Sequence, residues 1–140
     1  MSDKGYEFFE HTADAGLKVY GRTLEELFVN AAQGLVALLV EGSPITATET
    51  RMIALSAPSL AALLQRWLKE LLFWFATDRF LPALYHLDAV TDTELRGRIL
   101  GERFDPSRHA QGVEVKGVTY HDYRVQKRGD RWEASVIFDV

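Results

Sequence analysis

The sequence predicts an α+β fold in which two amphipathic helices cover antiparallel sheet, and three observations predict it. Short runs of aromatic and β-branched residues open the chain and fill its second half. Two longer stretches switch to a helical apolar repeat. The order reads strand, strand, helix, strand, helix and then strands alone. The chain has 140 residues, 47% hydrophobic and 26% charged, which suits one soluble domain over residues 1–140 with a sizeable core.

The elements follow in order. "YEFFE" and "GLKVYG" read as two strands, with "HTADA" as the turn between them. In "RTLEELFVNAAQGLVALLVEG", Leu24, Leu27, Phe28, Ala31, Ala32, Leu35, Leu38 and Leu39 share one helical face. Thr23 followed by Glu26 is a capping-box pattern, and Gly42 with Pro44 offers a stop. "ETRMIALSA" is a third strand, after which Ser56 or Ser59 starts the second helix, "SLAALLQRWLKELLFWFATD". Its stripe runs from Leu60 through Leu64, Trp67, Leu68 and Leu71 to Phe75. Phe73 falls outside that stripe, among Arg66, Glu70 and Thr77, and is expected to be covered by another element.

"LYHLDAV" and "ELRGRILGE" are strands joined near Thr91–Thr93, and "GERFDPSRHAQG" is a loop. "VEVKGVTYHDYRVQ" is a strand with a bend near His121, and "RWEASVIFDV" is the last strand. Alternation sets Trp132, Ala134, Val136 and Phe138 on one face, and Glu133, Ser135, Ile137 and Asp139 on the other. A strongly apolar last strand can be held by a sheet, or its end by a ligand.

Composition excludes several chemistries. With no cysteine there are no disulfides, thiolate nucleophiles or cysteine zinc sites, and a cytosolic location is the default. No apolar run is long enough to cross a bilayer, and "MSDKGYEFF" lacks the regions of a signal peptide. The net charge of −4 argues against a general phosphate-backbone binder as sole function. The one basic cluster, Arg124, Lys127, Arg128 and Arg131, surrounds a hairpin turn at Gly129-Asp130 and reads as solvated turn charges.

No nucleophile elbow, phosphate loop, G-x-G-x-x-G or H-E-x-x-H occurs. His11 beside Asp14 and His121 beside Asp122 read as hydrogen-bonding histidines at strand ends. Asp105 in "FDPSRH", with Arg108 and His109 after it, reads as a turn aspartate bonding the backbone two residues on. Asp14, Asp139 and the α-carboxylate of Val140 leave two readings open. They are separate solvated carboxylates, or they gather the oxygen ligands of a hard cation such as calcium.

These same stretches resemble the archease family along the whole chain. "YEFFEHTADAGLKVYGRTLEELFVNAAQGL" is similar to its N-terminal block with the H-T-A-D signature, and "LLQRWLKELLFWF" to its second helix. "GERFDPSRH" resembles its loop, "EVKGVTYHD" its strongest internal motif and "FDV" its acidic ending. The resemblance implies a small α+β protein, not itself an enzyme, that assists an RtcB-type tRNA-splicing RNA ligase. That ligase joins a 2′,3′-cyclic phosphate to a 5′-hydroxyl through a GMP on its own histidine. The helper promotes guanylylation and turnover, and archeases are also described as chaperones of nucleic-acid-modifying proteins. By resemblance, calcium or another divalent cation is held by Asp14, Asp139 and Val140, and Lys116 carries activation. The implied partners are the ligase and, through it, tRNA or other RNA, with no membrane. Ala15, Gly16 and Gly117 stand where bulkier residues would also be at home, without loss of an oxygen ligand. The competing readings are a metal-dependent hydrolase using Asp14, Asp139 and His11, and a tRNA-binding module.

Overall fold

Residues 5–11 and 14–140 are described by a computed structural model, apart from the side chains of Glu10 and His11. Thr12 and Ala13 of the expected turn, and the role of the His11 ring, lie outside the described residues. In chain order the elements are β1 (Tyr6–His11), β2 (Asp14–Gly21), α1 (Leu24–Leu39), β3 (Glu49–Ser56), α2 (Leu60–Asp78), β4 (Phe80–Val90), β5 (Glu94–Arg103), β6 (Gly117–Arg128) and β7 (Arg131–Asp139).

Both helix starts follow the hydroxyls the sequence offers. Thr23 Oγ1 accepts from the Glu26 N–H and Ser59 Oγ from the Ala62 N–H, each at 3.1 Å. Each satisfies a donor that a helix start leaves unpaired, so Ser59 rather than Ser56 caps α2. α1 stops at Leu39, before Gly42, because a distant loop caps its end. The Gly112 and Val113 N–H groups donate to the carbonyls of Leu39 (2.9 Å) and Leu38 (2.7 Å), and Val40 turns extended to bridge Gln111. α2 ends on Arg79 in the left-handed region (φ 62°), its N–H donating to Phe75 O and its guanidinium 5.0 Å from the Phe75 ring.

The strands form a four-stranded sheet ordered β1-β2-β7-β6 and a three-stranded sheet ordered β3-β5-β4, antiparallel throughout. The helices lie between the sheets. α1 packs on β1, β2 and β7 and also on β4, whereas α2 packs on β6 and on β3, β4 and β5. Leu17, Val19, Val136 and Phe138 face them from one sheet, and Ile53, Leu55, Leu95 and Ile99 from the other. Each such buried side chain contributes about 1.5–3 kcal/mol. Trp67 sits between the layers, its Nε1–H donating to the Phe28 carbonyl at 2.8 Å so that no indole donor is left unpaired. Among the described residues no helix is long and apolar enough to cross a membrane.

Three expectations need correction. Phe73 is not covered: it is 59% exposed, because both apolar walls of α2 are used by the sheets and its position faces neither. β6 begins at Gly117 rather than Val113, since Val113 bonds to the end of α1 and the pairing with β7 opens at Lys116 and Gly117. Its bend is a large bulge, in which Thr119 to Arg124 run against Ile137 to Ser135, with Asp122 at φ 50°. β4 starts at Phe80 rather than Leu84, and accommodates Pro82 by lying at the sheet edge with a register shift between Pro82 and Leu84.

Candidate metal and docking site at the chain terminus

β7 is an interior strand, flanked by β2 and β6, and this carries the C-terminus into the sheet. Asp14, the first residue of β2, is the direct cross-strand partner of Asp139, the last of β7. Asp139 is in turn the partner of Gly117, the first residue of β6. Direct partners project to the same face with Cβ atoms about 5 Å apart, so the two carboxylates share one end of one face. Like charges placed directly opposite destabilise a sheet unless something neutralises them. Val140 follows, half-buried against the core. On the other side of β1–β2, His11 is the register partner of Asp14.

Lys116 adjoins this row. Its N–H donates to the Asp139 carbonyl at 2.7 Å, and its side chain is exposed. The site residues expected from the sequence, Asp14, Asp139, Val140 and Lys116, therefore come together at one end of the four-stranded sheet. Among the described residues no third aspartate, glutamate or histidine completes a metal-binding group with the aspartate pair. The donors present are oxygens, which suit a hard cation rather than zinc.

The other candidates lie elsewhere. His121 and Asp122 pair at 3.4 Å on the exposed β6 bulge. Asp105 forms the expected turn, its Oδ1 accepting from the Ser107 N–H at 2.9 Å. The basic cluster flanks a tight turn at Gly129 (φ 63°) and Asp130.

Residues 6–140 match the Archease protein family (MTH1598/TM1083). A protein archease from Sulfurisphaera tokodaii is 32% identical over 136 residues, covering 96% of this chain and 98% of the relative. The chain belongs to the archease family. An archease from Saccharolobus solfataricus is 36% identical over 139 residues, covering 96% of this chain and 98% of its own. The solution structure of Methanobacterium thermoautotrophicum protein 1598 aligns with a TM-score of 0.82 at 36% identity, over 98% of this chain and 99% of that one. A Thermotoga maritima crystal structure, described as "an archease, possible chaperone", aligns with a TM-score of 0.65 at 22% identity over 94% of each chain, and shares the fold. The α+β expectation holds for the archease fold.

In this archease chain the sequence reading missed a buried polar cluster under the loop that leads to Lys116. Glu102 and His109 are 6% and 4% exposed. The Asp105 N–H donates to His109 Nδ1 at 2.9 Å, which assigns the ring proton to Nε2, and Nε2 lies 3.1 Å from Glu102 Oε2. Glu102 also accepts from the Arg108 guanidinium and from the Thr46 N–H at 2.6 Å. The Arg108 hydrogen bond first, then Thr46 and His109, overcome burial and hold the Glu102 carboxyl at about 2. The only signal in the sequence was the archease loop itself, "GERFDPSRH", in which all of these except Thr46 lie.

Proposed function

We propose that this protein is a non-enzymatic activator of an RtcB-type RNA ligase, promoting its guanylylation and turnover in tRNA splicing or RNA repair. The observation that carries this reading is the convergence of Asp14, Asp139 and Lys116 at one sheet end in a chain of the archease family. Asp14, Asp139 and the Val140 carboxylate would hold calcium, water completing the shell, and the ion would add positive charge between the facing carboxylates. Asp139 then does two things: its carboxylate offers a ligand and its carbonyl holds Lys116 by the backbone. Lys116 presents a compact positive charge, suited to a triphosphate or to a carboxylate of the ligase. Activation needs only that this end bind the ligase better in its reactive conformation than in its resting one.

The test is transfer of labelled GMP from GTP to a purified ligase, with and without this protein. Wild type is expected to raise both the yield of ligase–GMP and multiple-turnover joining, and Lys116→Ala to lose most of that gain. Equal guanylylation in all three conditions would remove the proposal. RNA joining by the protein free of ligase would also remove the proposal, and phosphoester hydrolysis would replace it with the hydrolase reading.

A further inference from the structure

The outward face of the four-stranded sheet carries a second feature away from the terminus. Lys18 of β2 and Arg124 of β6 are both register partners of Ser135, so they flank one residue of β7 in a single row. Four residues back along β7, Arg131 pairs with Arg128. Strand geometry puts the two cationic rows about 13–14 Å apart. Between them lies the half-buried ring of Tyr20, with the Arg131 guanidinium 4.5 Å from its centroid and its hydroxyl donating to Glu7 at 3.0 Å. Together with Phe9 these residues line a groove of about 510 Å³.

The charge there runs against the chain. A protein of net charge −4 gathers these cations in one groove whose acidic members are Asp122 and Glu133. Glu133 is shared between Arg131 (2.8 Å) and Arg128 (3.8 Å), and Asp122 sits beside His121 at 3.4 Å. Among the described residues neither Lys18 nor Arg124 is in an ion pair; Glu7, the register partner of Lys18 on β1, accepts instead from the Tyr20 hydroxyl. The solvated-turn reading accounts for Lys127, but not for two cations from different strands aligned across a serine.

We propose that this groove binds single-stranded nucleic acid. Lys18, Arg124, Arg128 and Arg131 take phosphates, and the Tyr20–Arg131 stack offers a flat platform to a base. Open sheet faces that combine cations with aromatic rings suit single strands, because unstacked bases can lie on the rings while the backbone follows the charge. A duplex keeps its bases inside and would use the cations alone. The proposal is independent of ligase activation, since none of these residues belongs to the terminal site.

The test is fluorescence anisotropy of a labelled oligoribonucleotide of about 12 nucleotides with the full chain, at about 50 and about 200 mM salt. Wild type is expected to bind at low salt and to weaken steeply at high salt. Lys18→Ala/Arg124→Ala is expected to lower affinity at least about tenfold and to reduce the salt slope by about 1.4, since each lost contact with a single strand is worth about 0.7. Tyr20→Leu should weaken binding without changing the slope. Arg96→Ala/Arg98→Ala, on exposed positions of the other sheet, should change neither. Circular dichroism checks folding, and Arg124→Gln alone replaces the double variant if that one unfolds. Absence of wild-type binding at low salt would overturn the proposal, as would wild-type affinity in the groove variant or equal loss in the control pair. Displacement of the oligonucleotide by GTP at equal phosphate concentration would overturn it too, marking a mononucleotide site.

Discussion

Glu102 is the residue whose ionisation matters most to the loop. Its carboxyl is depressed from the ordinary 4.5 to about 2, first by the Arg108 hydrogen bond. A depressed folded value contributes stability that is fully present above about pH 4.5 and is lost as pH falls towards about 2. Arg108 is half-exposed, so screening limits the contribution to about 1–2 kcal/mol. Glu102→Gln is therefore expected to lower the urea midpoint at neutral pH, with the gap to wild type closing below about pH 3. A gap that stays constant from neutral to acid pH would refute the ionic role. Lys116 behaves oppositely. Its side chain is exposed, so Lys116→Ala should shift stability by no more than about 0.5 kcal/mol while removing ligase activation. Normal activation by a folded Lys116→Ala variant would leave Lys116 as an ordinary solvated lysine.

At the scale of elements, the loop between β5 and β6 does the positioning. It is tied to the end of α2 by the Phe104 N–H bond to Arg79 O at 2.7 Å, to the end of α1 at Leu38 and Leu39, and to β7 at Asp139. Gly112 makes the α1 contact feasible, because a Cβ there would fall 2.1 Å from the Leu38 carbonyl oxygen. Gly112→Ala is expected to lift the loop from α1, cost about 2 kcal/mol, and speed hydrogen exchange at the Val113 amide. Gly117→Ala is the contrast: its Cβ would meet nothing within 4 Å, and stability should hardly change. Equal destabilisation by the two would show that loop docking is not what Gly112 supports.

For the molecule as a whole, β7 is set between β2 and β6, and this brings the start of β2 beside the end of the last strand. Asp14 and Asp139 face each other there, so a cation that binds them only in the folded chain must stabilise it. Calcium at about 100 times its Kd should add about 2.7 kcal/mol and raise Tm by several degrees. Asp139→Asn keeps the shape and should lose most of that response, with a small change in metal-free Tm. Residues added after Val140 should do the same, because they convert the terminal carboxylate to an amide. An undiminished calcium response in both variants would exclude the terminus as the site.

What a few neighbouring residues decide was legible in the sequence. Thr23 and Ser59 cap their helices because a hydroxyl reaches a backbone N–H three residues on, and Asp105 turns the chain because its carboxylate reaches two. Periodicity likewise assigned Leu17, Val19, Val136 and Phe138 to strands, and family motifs marked Asp14, Asp139, Val140 and Lys116. Neither could say that Asp14 and Asp139 are partners, that Lys18 and Arg124 flank Ser135, or that His109 reaches Glu102. The first two depend on β7 lying inside the sheet and on its register, which is chosen by which apolar faces must be buried together; the third depends on the loop after β5 folding back so that the Asp105 amide orients the His109 ring. The exposure of Phe73 has the same origin: two sheets had to find both walls of α2 before its position was left facing water.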